Sequence, residues 1–464
     1  MVKKLYNLFI PITLLLSVAS GYSQNIACGW SYSMLLCNDG NTVSVWGSNG
    51  AGQFGNTTTT ESSTPLVIPS LNGIKAIKAG YIHALALKND STLLSWGDNT
   101  DGQLGNGTFI NNETPTQISG LSQIIAMSGG QAGYHSLALK SNGTVWAWGR
   151  NSDGQLGDGT TTTKNTPVQV TGLNNVIAIA GGEYHSLAIK NDGTVWAWGR
   201  NDSGQLGDAT LVSSSVPVQV IGLTGVTAIA GGRFFSAAIK ADSTVVTWGQ
   251  NLYGQLGDGT VNNSTTPVQV SNLTSIKSIA GAAFHLFAIK NDRTLYGWGR
   301  NDYGPLGLGI NTNVSVPTLV AAINNVADVT CGTNYTIILK TNDSLFACGR
   351  NVYGQLGDGT QNNQNLPVPV LAYCPLITNN NMSGSFSNND FDIYPNPNNG
   401  MFTININSFS NSLFEVHNIL GEKVLSIKTN TQTTDVNLNT LPNGIYYVTT
   451  VVHNKPLVRK LFKQ

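Results

Sequence analysis

The chain has 464 residues, 24 Lys and Arg against 24 Asp and Glu, and only 10% charged residues in total, where about 25% is usual. A formally neutral chain lacks the surplus of Lys and Arg that binding through nucleic-acid phosphates demands, which excludes a nucleic-acid partner from this reading. Solubility must come from neutral polar groups, in which the chain is rich.

The first predicted element is a secretory signal peptide over residues 1–23. Lys3 and Lys4 precede an apolar run over 8–18, and Gly21 and Ser23 provide the small residues for cleavage after Ser23. No later stretch is apolar enough to span a bilayer, so no membrane span is expected in the mature chain.

A long repeat follows, over residues 24–371. A Trp-Gly step falls at Trp46, Trp96, Trp148, Trp198, Trp248 and Trp298, and a seventh copy has Cys348 before Gly349; successive spacings are 50, 52, 50, 50, 50 and 50 residues. So regular a period means a repeat architecture. In the unit over 176–220, "VIAIAGG", "YHSLAIK", "TVWAWG" and "PVQV" are four short β-rich runs separated by Gly, Asn-Asp and Pro. Lys190-Asn191-Asp192-Gly193 has the chemistry of a tight hairpin. Such a sheet cannot bury both apolar faces alone, whereas seven arranged radially can; the fold expected is an all-β, seven-bladed β-propeller.

Within each blade the Trp of the Trp-Gly step and the residue two before it share a strand face. Trp146 with Trp148, and Trp196 with Trp198, are therefore expected as plates between blades. The glycines of "GQLG" are expected where the chain crosses to the next sheet. The sixth copy, Gly304-Pro305-Leu306-Gly307, lacks the Gln. For ring closure, the run Pro367-Val368-Pro369-Val370 is expected to pair into the first blade as a clasp. Cys28, Cys37, Cys331, Cys348 and Cys374 cluster in the first and last repeats, so disulfides pinning the ring ends are expected, with connectivity open.

The pattern "IAGGEYHSLAIKNDGTVWAWGRNDSGQLGD" resembles the repeat of the regulator of chromosome condensation family, and all seven copies carry the resemblance. It implies a seven-bladed propeller. The namesake activity, guanine-nucleotide exchange on a nuclear GTPase, does not suit a neutral, exported chain. The family's exported bacterial members, which bind other proteins, are the better guide.

After a polar linker over 372–390, residues 391–464 alternate as a small C-terminal β-sandwich with Pro-Asn and Asn-Gly turns. The segment resembles the C-terminal sorting domain of the type IX secretion pathway of gliding and related Bacteroidetes. The residues carrying this are Tyr394, Pro395, Asn396 and Pro397 with Gly400, then Gly421 of "NILG", then Gly444 and Tyr446 of "LPNGIY", and the last five residues. The resemblance implies passage through the type IX machinery, via the periplasm, to the outer surface or the medium.

Several positions invite chemistry. His83, His135, His185 and His285 share one repeat position, but Tyr32, Phe235 and Tyr335 fill it elsewhere, and Phe cannot ligate a metal. A packed ring position is expected there, with no metal and no cofactor. Asp-Gly loops such as 153–158 lack the regular calcium-loop pattern and its closing Glu. Glutamates stand only at 61, 113, 183, 415 and 422, and no repeated acid-base pair emerges. What remains is binding. Arg150, Arg200, Arg300 and Arg350 recur at one position, and Tyr253, Tyr303 and Tyr353 at another. Around a rim they form a candidate interaction surface of the residue types that dominate interfaces; the alternative is that they brace the turn before "GQLG". Loops over 57–64, 160–166, 211–216, 310–316 and 361–366 vary most, and an insertion over 131–133 adds another. The expectation is a secreted or cell-surface, non-catalytic scaffold binding an extracellular protein. A carbohydrate-binding module is the alternative, and a hydrolase the third reading.

Overall fold

The computed structural model describes residues 25–37, 42–68, 71–130, 133–371, 391–396, 398–406, 412–418, 423–452 and 455–463. The signal peptide, the linker, the 131–132 insertion, Cys374, Pro397 and Gly421 lie outside the described residues.

Seven four-stranded antiparallel meanders occupy residues 25–67, 74–117, 124–169, 176–219, 226–269, 276–319 and 326–369. In the fourth, the strands are Val176–Gly181, His185–Lys190, Val195–Gly199 and Ser214–Gln219, from innermost to outermost. The innermost strands pack on one another around an axis, the first against both the second and the seventh, so the ring is closed. No helix occurs among the described residues.

The apolar clusters lie between blades rather than within them. Leu187 and Ile189 of the fourth blade, for example, pack with Ala238 and Trp248 of the fifth. The six Trp-Gly tryptophans are wholly buried, and Trp146 and Trp196 lie half-buried beside Trp148 and Trp198 in the same inter-blade clusters. Each tryptophan donates its indole N–H to the backbone carbonyl of the preceding blade's "GQLG" glutamine, as Trp198 does to Gln155 at 2.9 Å. This explains the glycines: a Cβ on Gly157, at φ +68°, would stand 2.7 Å from the Trp198 Nε1, and one on Gly154 2.6 Å from the Ser215 Cα.

The two departures from the repeat meet across one junction. Cys348 replaces the tryptophan of blade seven and directs its Sγ, 3.2 Å away, at the carbonyl of Pro305, which replaces the glutamine of blade six. In the other six copies the glutamine Oε1 accepts an N–H two residues earlier, for example from Tyr253 at 2.9 Å.

Ring closure corrects the clasp expectation. The last outer strand, Gln364–Pro369, pairs only within its own blade, and the first blade already owns a fourth strand, Ser62–Val67. Each "PVQV" run follows the Trp-Gly step of its own blade, so no edge is left vacant for an exchange. The ring closes through the bond used at every other junction. Gly359 donates to Ser63 at 3.0 Å, as Gly107 does to Asn165 at 2.8 Å and Gly159 to Ser215 at 3.0 Å. The outer edges are blunted instead by proline, which offers no N–H: Pro65, Pro115, Pro167, Pro217, Pro267, Pro317 and Pro367 each stand in an outermost strand.

Cys37 is disulfide-bonded, while Cys28 and Cys348 are free thiols, and these two and Cys331 are buried. Burial pushes the Cys28 thiol up to about 12, so it packs as a small apolar group.

The C-terminal segment forms a three-stranded and a four-stranded antiparallel sheet. Between them lies a core that includes Phe391, Phe402, Ile404, Phe414, Val416, Tyr446 and Leu461. Its sequence motifs converge. Asn396 Oδ1 accepts the Phe462 N–H at 2.8 Å, the Asn398 N–H reaches the Phe462 carbonyl, and Lys463 reaches the Leu441 carbonyl. Tyr446 donates to the Pro442 carbonyl at 2.7 Å. Gly400 has φ +101°, and a Cβ there would strike Asn439.

Candidate functional site

Two rings of side chains surround the axis. The inner one contains the histidines. His83, His135, His185 and His285 are buried, and their Nε2 atoms lie 2.9, 2.9, 2.8 and 3.2 Å from the hydroxyls of Ser136, Ser186, Ser236 and Thr336 on the following blade. Each hydroxyl donates onward to a crossing-loop carbonyl, as Ser186 does to Gln155 at 2.8 Å. Its oxygen must therefore accept from the histidine, which fixes the neutral tautomer protonated on Nε2. Burial lowers these four imidazoles to about 3, 4, 3 and 3. Where phenylalanine replaces the histidine the partner changes too, Phe235 preceding Leu286 on the next blade, whereas Tyr335 keeps a serine, accepting from the Ser33 hydroxyl at 3.1 Å. This is a set of staples between blades, and the expected packed ring position is its first half.

The crossing loops between third and outermost strands are held by a residue that sequence reasoning did not single out. Asn49, Asn99, Asn151, Asn201, Asn251, Asn301 and Asn351 are all fully buried. In the third blade, Asn151 Oδ1 accepts the Leu156 N–H at 2.9 Å, while its Nδ2 donates to Asp158, Thr160 and Thr162. The signal was present as an Asn two residues after every Trp-Gly or Cys-Gly step. Asp158 itself closes an Asx turn on the Thr160 N–H and hydroxyl, so its carboxylate serves the loop.

The outer ring is the candidate site, a crown on the face where the crossing loops meet the loops joining innermost and second strands. All seven rim residues expected from sequence belong to it, each half-buried. Rings and guanidinium groups stack in series. Tyr353 lies 5.7 Å from Trp30, Trp30 5.3 Å from Tyr81, and Tyr81 4.6 Å from Tyr134. Arg150 stands between Tyr134 and Tyr184 at 5.6 and 5.5 Å, and Arg200 between Tyr184 and Phe234 at 5.4 and 5.1 Å. Arg233 reaches Phe234 and Phe284, Arg300 reaches Phe284, Tyr253 and Tyr303, and Arg350 covers Tyr303 at 5.5 Å. The series starts and ends on blade seven, having gone round the axis.

Trp30, Tyr81, Tyr134, Tyr184, Phe234, Phe284, Arg233 and Glu183 were missed at the sequence level. The position before the histidine is Tyr or Phe in four consecutive copies, which was the available signal. Their loops are tied to one another by backbone bonds: Trp30 N–H to Tyr81 at 2.8 Å, Tyr81 to Gly133 at 2.9 Å, Glu183 to Gly232 and Arg233 to Ala283 at 3.1 Å. The crown is thus pre-organised. Charge inside it is partly paired: Arg200 with Asp202, Arg300 with Asp302, and Arg233 with the buried Glu183 at 3.4 Å. Burial pushes the Glu183 carboxyl up despite the pull of Arg233.

Comparison with known proteins agrees with this geometry. An RCC1-like domain matches residues 10–275, regulator of chromosome condensation (RCC1) repeats match 292–339 and 342–380, and a secretion system C-terminal sorting domain matches 392–464. The human probable E3 ubiquitin-protein ligase HERC6 is 33% identical over 158 residues, covering 32% of this chain and 15% of that protein. Human HERC2 is 30% identical over 152 residues, covering 32% of this chain and 3% of its own length. Among solved structures, Prp20p of Saccharomyces cerevisiae, described with its binding to Gsp1p and histones, superposes with a TM-score of 0.65 at 25% identity; 78% of this chain and 90% of that one are covered. Human WBSCR16 gives 0.62 at 25% identity, over 69% and 88% of the two chains. No helix among the described residues is long and apolar enough to cross a membrane. With seven repeat-built blades and a sorting segment behind them, the chain belongs to the RCC1-like domain family and carries a C-terminal secretion sorting domain.

Proposed function

We propose that the propeller is a non-catalytic scaffold that binds a protein outside the cell, delivered there by its C-terminal domain through the type IX route. The observation that carries this reading is the crown: one rigid face that gathers half-exposed Tyr, Trp and Arg, the residue types richest in interface hot spots. The rings lie 4.6–5.7 Å from one another and 5.1–5.9 Å from the guanidinium groups, which leaves fewer open ring faces for a sugar to stack upon. Prp20p supports the reading by likeness, since protein binding is what is described for it. The test uses the full chain, immobilised and exposed separately to extracellular polysaccharides and to secreted and surface proteins. Saturable capture of a defined protein, lost on Arg200→Ala or Tyr303→Ala, is expected. Capture of a glycan with the same dependence would overturn the protein reading in favour of a carbohydrate-binding module.

A further inference from the structure

The innermost strands enclose an axial channel, and the side chains on them that stay exposed open onto it. On blades four to six its wall is made of small residues, Ala178, Ala180, Ala228, Ala230, Ser278 and Ala280, each half-buried, so side chains do not fill the lumen. At the end away from the crown, the second residue of successive innermost strands divides the wall by chemistry. Ile125 and Ile177, each 48% exposed, stand on blades three and four, while exposed Lys277 and Lys75 stand on blades six and two. Further in, Lys78 of blade two is exposed as well. Among the described residues no ion pair or side-chain hydrogen bond engages Lys78 or Lys277.

The carboxylates that face this region do not cancel the lysines. Asp328 of blade seven is the one carboxylate on the described innermost strands. Its Oδ1 accepts the Val329 N–H at 2.9 Å; burial pushes its carboxyl up, and Lys78 and Lys277 pull it down from beyond ion-pairing range. The connections that enter the strands, over 68–73, 118–123, 170–175, 220–225, 270–275 and 320–325, carry no charge. On the hairpins around them Asp90, Asp192, Asp242, Asp292 and Asp343 each follow a lysine by two or three residues, as Asp242 follows Lys240 and pairs with it at 3.1 Å. Asp39, of the first hairpin, lies outside the described residues. At the crown end Glu183 is paired with Arg233. The channel thus keeps a positive surplus opposite an apolar wall.

We propose that this end of the channel binds a monocarboxylate with a short apolar tail, its head group between Lys78 and Lys277 and its tail on Ile125 and Ile177. The site is separate from the crown and goes beyond the scaffold reading. Lys78 and Lys277 share one carboxylate, Asp328, so one further negative charge closes their balance. Ammonium groups on flexible stems can turn to a carboxylate without disturbing the strands that carry them. An enclosed lumen strengthens the attraction relative to the open surface. The apolar wall is already formed, so little has to be ordered when the tail lies on it. A cation of the same shape meets like charges at the head-group position and gains only the tail contact.

The experiment titrates octanoate into the full chain by calorimetry, with octylamine and acetate as comparison probes. One saturable octanoate site per chain is expected, about tenfold or more tighter than acetate because the tail adds buried methylenes. Lys277→Ala should weaken octanoate binding about tenfold, and Ile177→Ser about threefold. Asp328→Asn should tighten it about threefold by removing the like charge beside the head group, a gain that a damaged fold would not produce. Lys164→Ala, in an outermost strand, removes the same charge as Lys277→Ala and should leave binding within about twofold. No saturable octanoate binding, octylamine binding as tight, an equal loss on Lys164→Ala, or weaker binding by the Asp328→Asn variant each overturns the proposal. Loss on Arg200→Ala also overturns it, by moving the site to the crown. Protein capture that survives Lys277→Ala leaves the scaffold reading standing whichever way the octanoate titration turns out.

Discussion

The junction between blades four and five differs from that between blades six and seven chiefly in its buried plate, where Cys348 and Pro305 stand for a tryptophan and a glutamine. At the first, the Trp248 indole reaches the Gln205 carbonyl at 2.9 Å. At the second, the Cys348 thiol takes the same place opposite Pro305. Both junctions retain the histidine staple, His185 to Ser236 and His285 to Thr336, and both retain the backbone bond between crossing loop and next outer strand. A junction is thus three separable layers, staple, plate and loop bond, and one layer can weaken while the others hold.

The largest test of that division is pH. The four histidines are neutral in the folded chain, with values near 3 to 4, and regain their ordinary value when unfolded. Because the folded values are depressed, the contribution is complete above about 6.5 and is lost as pH falls towards the folded values. From pH 7 to 5.5 each histidine should cost about 1.2 kcal/mol, about 5 kcal/mol for the four, read from urea unfolding at the two pH values. Asp242, held near 2, does not titrate in this window. Copying the Phe235 and Leu286 pair into the neighbouring junction, as His185→Phe with Ser236→Leu, should remove about a quarter of that loss. An unchanged pH slope in the double variant would show that the staples are not the acid-sensitive layer.

Trp298→Ala should lower stability by about 3–5 kcal/mol, since it empties a fully buried plate. Cys348→Ala, at the position already reduced, should cost about 1 kcal/mol. Similar unfolding midpoints for the two variants would mean that the plate layer contributes little. The smallest effect is expected in the hairpins opposite the crown, where Gly193 has φ +76° and Arg293, at the matching place, has φ +69°. Arg293→Gly should raise the midpoint slightly, by up to about 1 kcal/mol of stability, by relieving a left-handed conformation.

The blades were legible because their signals are local. Alternation and the Asn-Asp-Gly turn lie within one copy, and a period of about 50 residues repeats them. Closure was not legible in the same way, because a repeating text does not mark where one unit starts; reading the first blade as short of a strand produced the expected clasp. The crown was half legible. Its arginines and three tyrosines recur at matching places, but Trp30, Tyr81 and Glu183 share a position with Gly133, Ala283 and Thr333, so no recurring residue type marks it. The staples were present as a correlation between neighbouring copies, with Ser or Thr following each His copy and Leu286 following Phe235. Only the ring geometry shows why it runs from one copy to the next.

Because every blade is one continuous segment and the seventh meets the first through the bond used at the other six junctions, the ring has no privileged starting point. A circularly permuted chain, joined between residues 371 and 25 and opened between blades three and four, would conserve all seven loop bonds and each plate and staple. The same property lets a whole blade be duplicated or exchanged as one contiguous stretch of coding sequence, with the crown gaining or losing one step of its stack at a time.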